Sequence, residues 1–156
     1  VCSSDLHGQT APAGFSVVPF KYVPNRGMRI SVMVGSVRTT ALIDTGSEAT
    51  VGNLALRQAL SRHRNPREVY DEGLIGVTED LQQAARVHIP SISAGKLLVQ
   101  NVAIMFSDLQ IFQYWQLTDQ PALLIGMDVL GVVDALIIDY RRSELQFRTS
   151  RSFGLE

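Results

Sequence analysis

Four consecutive residues, Asp44-Thr45-Gly46-Ser47, could do chemistry together. The acid directly follows an apolar run, Ala41-Leu42-Ile43, that reads as the end of a core strand. Leaving an ionised carboxylate there without partners is costly, so a chain that ends a core strand in Asp usually surrounds it with donors. Gly46 allows the tight turn that aims backbone N–H groups back at the carboxylate. Thr45 and Ser47 add hydroxyls. Taken alone, Asp-Thr-Gly is more often a structural turn cap, so the tripeptide needs a second feature to become a site.

Other chemistry finds less support. His7, His63 and His88 have no metal-ligand spacing, so no metal site is expected. No Gly-x-Ser-x-Gly nucleophile elbow and no phosphate-binding Gly-x-x-x-x-Gly-Lys-Ser/Thr loop occurs. Asp128, Asp134 and Asp139 lack a following Thr-Gly, and Glu48 reads as a solvated turn residue. Tyr114 and Trp115 could line a pocket, although aromatics at that density more often serve core or interface. Arg141-Arg142 reads as a solvated hairpin tip.

The elements that would position Asp44 are mostly strands. Residues 15–23 form a strand or extended arm. Met28, Ile30, Val32 and Val34 alternate with Arg29, Ser31 and Met33, the period of a half-buried strand. Gly35-Ser36 turns the chain into a second strand over residues 37–43, and two strands this close make a hairpin. Asn53 is placed to cap a helix carrying Leu54, Leu56 and Leu60, which should stop before Pro66. Residues 66–80 read as a loop or mobile hairpin. Strands follow over residues 81–92 and 97–106, joined at Ala94-Gly95-Lys96. Residues 110–120 are aromatic and polar without period. A short buried strand at 122–125 leads into a short helix or turn at 126–131. Residues 137–140 and 145–148 close the chain as a last hairpin.

Composition bounds the function. The 156 residues are 46% hydrophobic and 19% charged, with a formal net charge of −1. That excludes a disordered chain and argues against a nucleic-acid or anionic-membrane partner. The apolar stretches fall well short of the ~20 residues that span a bilayer. The single cysteine, Cys2, cannot form an internal disulfide and says little about compartment.

The second feature lies about 80 residues beyond Asp44, where Leu123-Leu124-Ile125-Gly126 is followed by Met127-Asp128-Val129-Leu130-Gly131. With Asp-Thr-Gly-Ser and this apolar-apolar-Gly element in order, the chain resembles a retropepsin-like aspartic protease domain over residues 17–148. The closer likeness is to bacterial aspartyl proteases, which often carry two such domains. The resemblance implies a mainly β acid-protease half-barrel, with one helix after the catalytic loop and a short helix after the apolar-apolar-Gly strand. It implies that Asp44 is the catalytic aspartate and that Thr45 ties two catalytic loops together across a two-fold axis. Gly46 lets the loop backbone approach the carboxylate, and Ser47 hydrogen-bonds it. Leu124, Ile125 and Gly126 support the loop from below. A flap is expected between about residues 71 and 83.

The implied activity is aspartic endopeptidase, without cofactor or metal. The mechanism needs two carboxylates, and one proton is shared between them because like charges that close cannot both ionise easily. This chain offers one Asp-Thr-Gly, so the second Asp must come from another copy of the domain. That copy is either a homodimer mate or an N-terminal domain of a longer chain. The other partner is a peptide or protein substrate. A non-catalytic domain that keeps the fold for dimerisation or peptide binding is the alternative, and the intact Asp44-Thr45-Gly46 favours the peptidase. The resemblance points to a periplasmic or secreted location.

Residues 1–6 can be encoded by the tail of a common sequencing adapter and are expected to be an assembly artefact, which would put the natural N-terminus elsewhere. The expected division is an artefact and disordered lead over residues 1–14, the protease-like domain over 15–150, and a tail over 151–156.

Overall fold

The computed structural model describes residues 11–25, 27–62 and 86–149. The adapter-like residues 1–6, the flap segment 71–83 and the tail 151–156 lie outside the described residues, as do residues 81–85 of the expected strand over 81–92.

Strands dominate, as the alternating pattern requires. In chain order they are β1 (Ser16–Pro19), β2 (Lys21–Val23), β3 (Gly27–Val34), β4 (Val37–Ile43) and β5 (Val51–Gly52). Helix α1 (Leu54–Arg62) separates these from β6 (Arg86–Ala94) and β7 (Leu97–Phe106). Then come α2 (Gln110–Tyr114), β8 (Ala122–Ile125), α3 (Met127–Leu130), β9 (Ala135–Asp139) and β10 (Glu144–Arg148). In β3 the period-2 reading holds: Ile30, Val32 and Val34 are buried while Ser31 is exposed. β8 is apolar and buried at all four positions, the pattern of a central strand covered on both faces.

The sheet closes on itself. Antiparallel β3 and β4 continue through β8, which runs parallel to β4, then β5, β7 and β6. A last pairing of β6 with β3, Met33 opposite Ser93 and Val34 opposite Ile92, completes the ring. Closure gives each of these six strands a neighbour on both sides along at least part of its length, which limits the exposure of unpaired backbone groups. A smaller sheet, β1-β10-β9, contributes Val18, Leu145 and Phe147 to the same apolar core as Ile30, Val32 and Ile104 of the ring. The mainly β expectation thus holds, and the barrel is closed.

Local differences have plain causes. In α1 the core contacts come from Leu56 and Leu60, whereas Leu54 is 41% exposed at the first turn. α2 was invisible to periodicity because five residues are too few to establish a repeat, yet its Phe112 is fully buried. The last hairpin starts two residues earlier than the sequence indicates. Its turn is tightened by Asp139, whose Oδ1 accepts the backbone N–H groups of Arg141 and Arg142, each at 3.0 Å.

Asn53 caps α1 as its type and position predict, its Oδ1 accepting from Leu56 N at 2.9 Å. The same oxygen accepts from Ala122 N at 3.0 Å, and Nδ2 donates to the carbonyls of Leu117 and Gln120 at 2.9 and 2.8 Å. One buried amide therefore ties the helix to the start of β8. Replacing Asn53 with Ala strands two donors and two acceptors in the interior. The variant should lose about 3 kcal/mol of stability, given ~1–3 kcal/mol for each unsatisfied buried group and partial relaxation. Urea unfolding of Asn53→Ala against wild type measures this, and an unchanged midpoint would refute the role.

Candidate active site

Asp44 sits one residue beyond β4, where its N–H donates to Ile125 O at 3.0 Å and so extends the parallel β4–β8 ladder. The chain then turns sharply. Gly46 N–H donates to Asp44 Oδ1 at 2.9 Å, and Ser47 N–H donates to Asp44 O at 3.3 Å. The expected backbone donor at the carboxylate is therefore present. Asp44 is half-buried, while Thr45 and Gly46 are exposed. The Thr45 hydroxyl has no hydrogen-bond partner among the described residues.

Ser47 behaves differently from what the resemblance implies. Its Oγ donates to Ala49 O at 2.9 Å, so its proton stabilises the descending limb of the loop rather than the Asp44 carboxylate. A hydroxyl has one proton to give, and here the Ala49 carbonyl takes it.

The floor of the loop is built from the other sequence element. Leu124 pairs with Leu42 and Ile125 with Ile43, all in the parallel β4–β8 register. Gly126 then passes directly beneath the Asp44 loop. A Cβ at Gly126 would lie 2.6 Å from Ala49 O and 2.8 Å from Ser47 O, inside any permitted contact, so only glycine fits. The close approach lets two backbone bonds form across the gap. Met127 N donates to Ser47 O at 2.7 Å, and Asp128 N donates to Glu48 O at 3.1 Å.

Two residues that sequence reasoning did not single out as supports complete the cradle. Thr50 is 1% exposed; its N–H donates to Asp128 Oδ2 at 3.0 Å and its Oγ1 donates to Asp128 Oδ1 at 2.5 Å. Thr50 Oγ1 in turn accepts from Gly126 N at 3.1 Å, and Asp128 Oδ1 also accepts from Val129 N at 2.8 Å. Asp128 thus bridges α3 to the strand that leaves the loop, consistent with setting it aside as a second catalytic acid. Its position in the first turn of a short helix was the available signal, since carboxylates there cap free N–H groups.

The remaining candidates fall elsewhere. Asp139 serves the β9–β10 turn. His88 is exposed on β6, and His7 and His63 lie outside the described residues. Among the described residues no three His, Cys, Asp or Glu side chains gather as a metal site. Among them also, no helix is long and apolar enough to cross a membrane. Tyr114 is 63% exposed, and Trp115 packs against a second, smaller apolar cluster that includes Leu42.

A closed β-ring with an Asp-Thr-Gly loop seated on an apolar-apolar-Gly strand defines the retropepsin-like aspartic protease fold. Residues 30–129 match the family model described as aspartyl protease, and the chain belongs to that family. Among solved structures it is similar to a retropepsin-like aspartic protease from Rickettsia conorii. That match has 15% identity over 91% of this chain and 96% of the other, with a TM-score of 0.52, and bears on the fold. A further match is the retroviral protease-like domain of Ddi1 from Leishmania major, with 13% identity, 81% and 96% coverage, and a TM-score of 0.41. No curated protein matches the sequence.

The two loop glycines should respond differently to a methyl group. Gly126→Ala drives Cβ into backbone atoms that cannot swing away, and should cost about 2–3 kcal/mol, typical of overpacking. Gly46→Ala brings Cβ to 3.2 Å from Asp44 Oδ1, a side-chain atom that can shift, and should cost less. Thermal or urea unfolding of the two variants checks the order, and a Gly46→Ala variant less stable than Gly126→Ala would contradict it.

Proposed function

We propose that this chain supplies one half of an aspartic endopeptidase site, with Asp44 as its catalytic carboxylate. The observation that carries the reading is the seating of Asp44. It is half-exposed at the end of a core strand, its carboxylate holds a backbone donor, and the loop is braced from below by Gly126, Thr50 and Asp128. Such a loop fixes one carboxylate and leaves it open to solvent. Chemistry then requires a second carboxylate from a partner domain.

Two local features favour a partner at this face. Thr45 carries an exposed hydroxyl with no bond among the described residues, available to a facing loop. Met127, bonded through its backbone to Ser47, is 45% exposed beside the loop. An exposed apolar side chain next to a polar loop suits an interface. The partner is a second copy of this chain or another domain of a longer protein.

With two aspartates facing, the pair holds one proton. The ionised member takes a proton from a water molecule as its oxygen attacks the scissile carbonyl. The protonated member donates to the carbonyl oxygen, giving a tetrahedral gem-diol. The newly protonated member then gives its proton to the amide nitrogen while the other takes one from a gem-diol hydroxyl, so that the C–N bond breaks and an amine and a carboxylic acid leave. The dyad ends as it began, with one proton, and the intermediate is never covalently bound to the protein.

Asp44→Asn keeps the shape of the side chain and removes its ability to ionise. It should abolish hydrolysis of an unfolded protein substrate and leave the unfolding midpoint within about 1 kcal/mol of wild type. In the homodimer case specific activity should rise with protein concentration. Retained activity in purified Asp44→Asn would remove Asp44 from the mechanism.

A further inference from the structure

A row of side chains crosses three strands on one face of the sheet. Lys21 of β2 stands opposite Arg29 of β3, and Arg29 stands opposite Leu42 of β4. Residues directly opposite in antiparallel pairs share a face and lie ~5 Å apart at Cβ. The row grades from core to solvent. Leu42 is fully buried in the smaller apolar cluster, Arg29 is half-buried, and Lys21 is exposed on the outer strand of the sheet.

Two cations are thus direct neighbours across strands, an arrangement that weakens a sheet unless an anion joins them. Among the described residues no carboxylate pairs with either one. Arg29 is also held in place. Its Nη2 donates to Trp115 O at 2.8 Å, while its Nε is buried without a partner. Nη1 has no hydrogen-bond partner among the described residues and, unlike Nε, is not sealed from solvent. A guanidinium presents its N–H donors as a rigid fork. A fork oriented by one bond, with a free nitrogen toward solvent and an ammonium rooted ~5 Å away, is preorganised for an oxyanion.

The row also has a fixed relation to the Asp44 strand end. Asp44 lies two residues beyond Leu42, and its N–H continues the β4–β8 ladder. Side chains alternate along an extended strand, so Asp44 leaves on the face of the row. Arg29 and Asp44 are diagonal neighbours across the hairpin, a relation that sets Cα atoms about 7–8 Å apart. An extended peptide advances ~3.3 Å per residue, so a side chain two to four positions from a bond held at Asp44 comes within reach of the two cations.

From this placement we infer that Lys21 and Arg29 form a binding site for the carboxylate of an acidic peptide, and that it selects substrates with Asp or Glu two to four residues from the scissile bond. The inference rests on the peptidase reading above. The carboxylate accepts from Arg29 Nη1 and Lys21 Nζ and relieves the repulsion between the two cations. Gln has nearly the shape of Glu but no charge, so it gains far less.

The probes are two peptides with a central non-hydrolysable statine and Leu next to it, carrying Glu or Gln at the three positions beyond on both sides. Each is titrated calorimetrically into the full chain. At low salt the Glu peptide should bind about fivefold more tightly than the Gln peptide. The ratio should fall toward one at about 0.5 M salt, where exposed charges are screened. Lys21→Glu gives Arg29 an acid on its own sheet, so it should raise the unfolding midpoint and bring the ratio to one or below. Arg29→Gln should also bring the ratio toward one. With the matching cleavable peptides the same preference should appear in KM.

A ratio near one in wild type overturns the site, and so does a preference that survives high salt or Lys21→Glu. A lack of binding by either peptide overturns it as well. A midpoint lowered by Lys21→Glu overturns the unpaired cations on which the site stands. Inorganic phosphate that binds in a Lys21-dependent manner, while the two peptides bind alike, overturns the peptide carboxylate as the ligand. Asp44-dependent hydrolysis with no preference for Glu removes the acid site and keeps the peptidase. A Lys21-dependent preference for Glu in binding, without hydrolysis by wild type, keeps the site and removes the peptidase.

Discussion

The approach of two backbones at Gly126 is the constraint on which the site depends. The loop after β4 and the turn between β8 and α3 come within bonding distance because Gly126 carries no side chain. Ser47 O and Glu48 O then accept the N–H groups of Met127 and Asp128. Those N–H groups belong to the first turn of α3, where helix geometry leaves donors without internal partners. One contact therefore satisfies the start of a helix and fixes the position of the Asp44 loop. Backbone bonds of this kind have no rotamers to lose, which suits a loop whose carboxylate must hold its place.

Around that contact, polar residues act as ties between elements distant in sequence. Asp128 bonds Thr50 through both carboxylate oxygens, and Thr50 returns a bond to the Gly126 N–H. Asn53 does the same between α1 and β8. Such groups are tolerable in the interior because each is paired, and once paired they specify a single arrangement. The apolar clusters supply the bulk of the burial, and these ties set where the loop sits within it.

The ring also explains the exposure of Asp44. Parallel pairing of β4 with β8 carries the two strands out of the core together, so Asp44 and Gly126 emerge side by side. The main cluster packs within the ring, and the second packs against Leu42 on the face that Asp44 shares. Asp44 is consequently anchored by buried neighbours while its carboxylate remains half-exposed. That combination is what the proposed dyad would require, with water and a partner carboxylate both reaching Asp44.

Much of this was legible in the residue order. The β3 and β4 strands, the Asn53 cap, the Gly46 donor and the importance of Gly126 follow from short-range rules, because alternation, capping and tight turns are local physics. What the order could not give was any feature assembled from distant segments. Ring closure through β6 and β3 depends on pairing across about 60 residues. The Thr50–Asp128 tie joins residues 78 apart in sequence, and α2 is too short to leave a period. The Ser47 hydroxyl was assigned to Asp44 by likeness, and the local geometry gave it to Ala49 instead. The sequence by itself determined which residues could do chemistry and which elements they end. Only the tertiary structure decided which backbones touch, because a hydrogen bond is won or lost over a few tenths of an ångström that no pattern of residue types encodes.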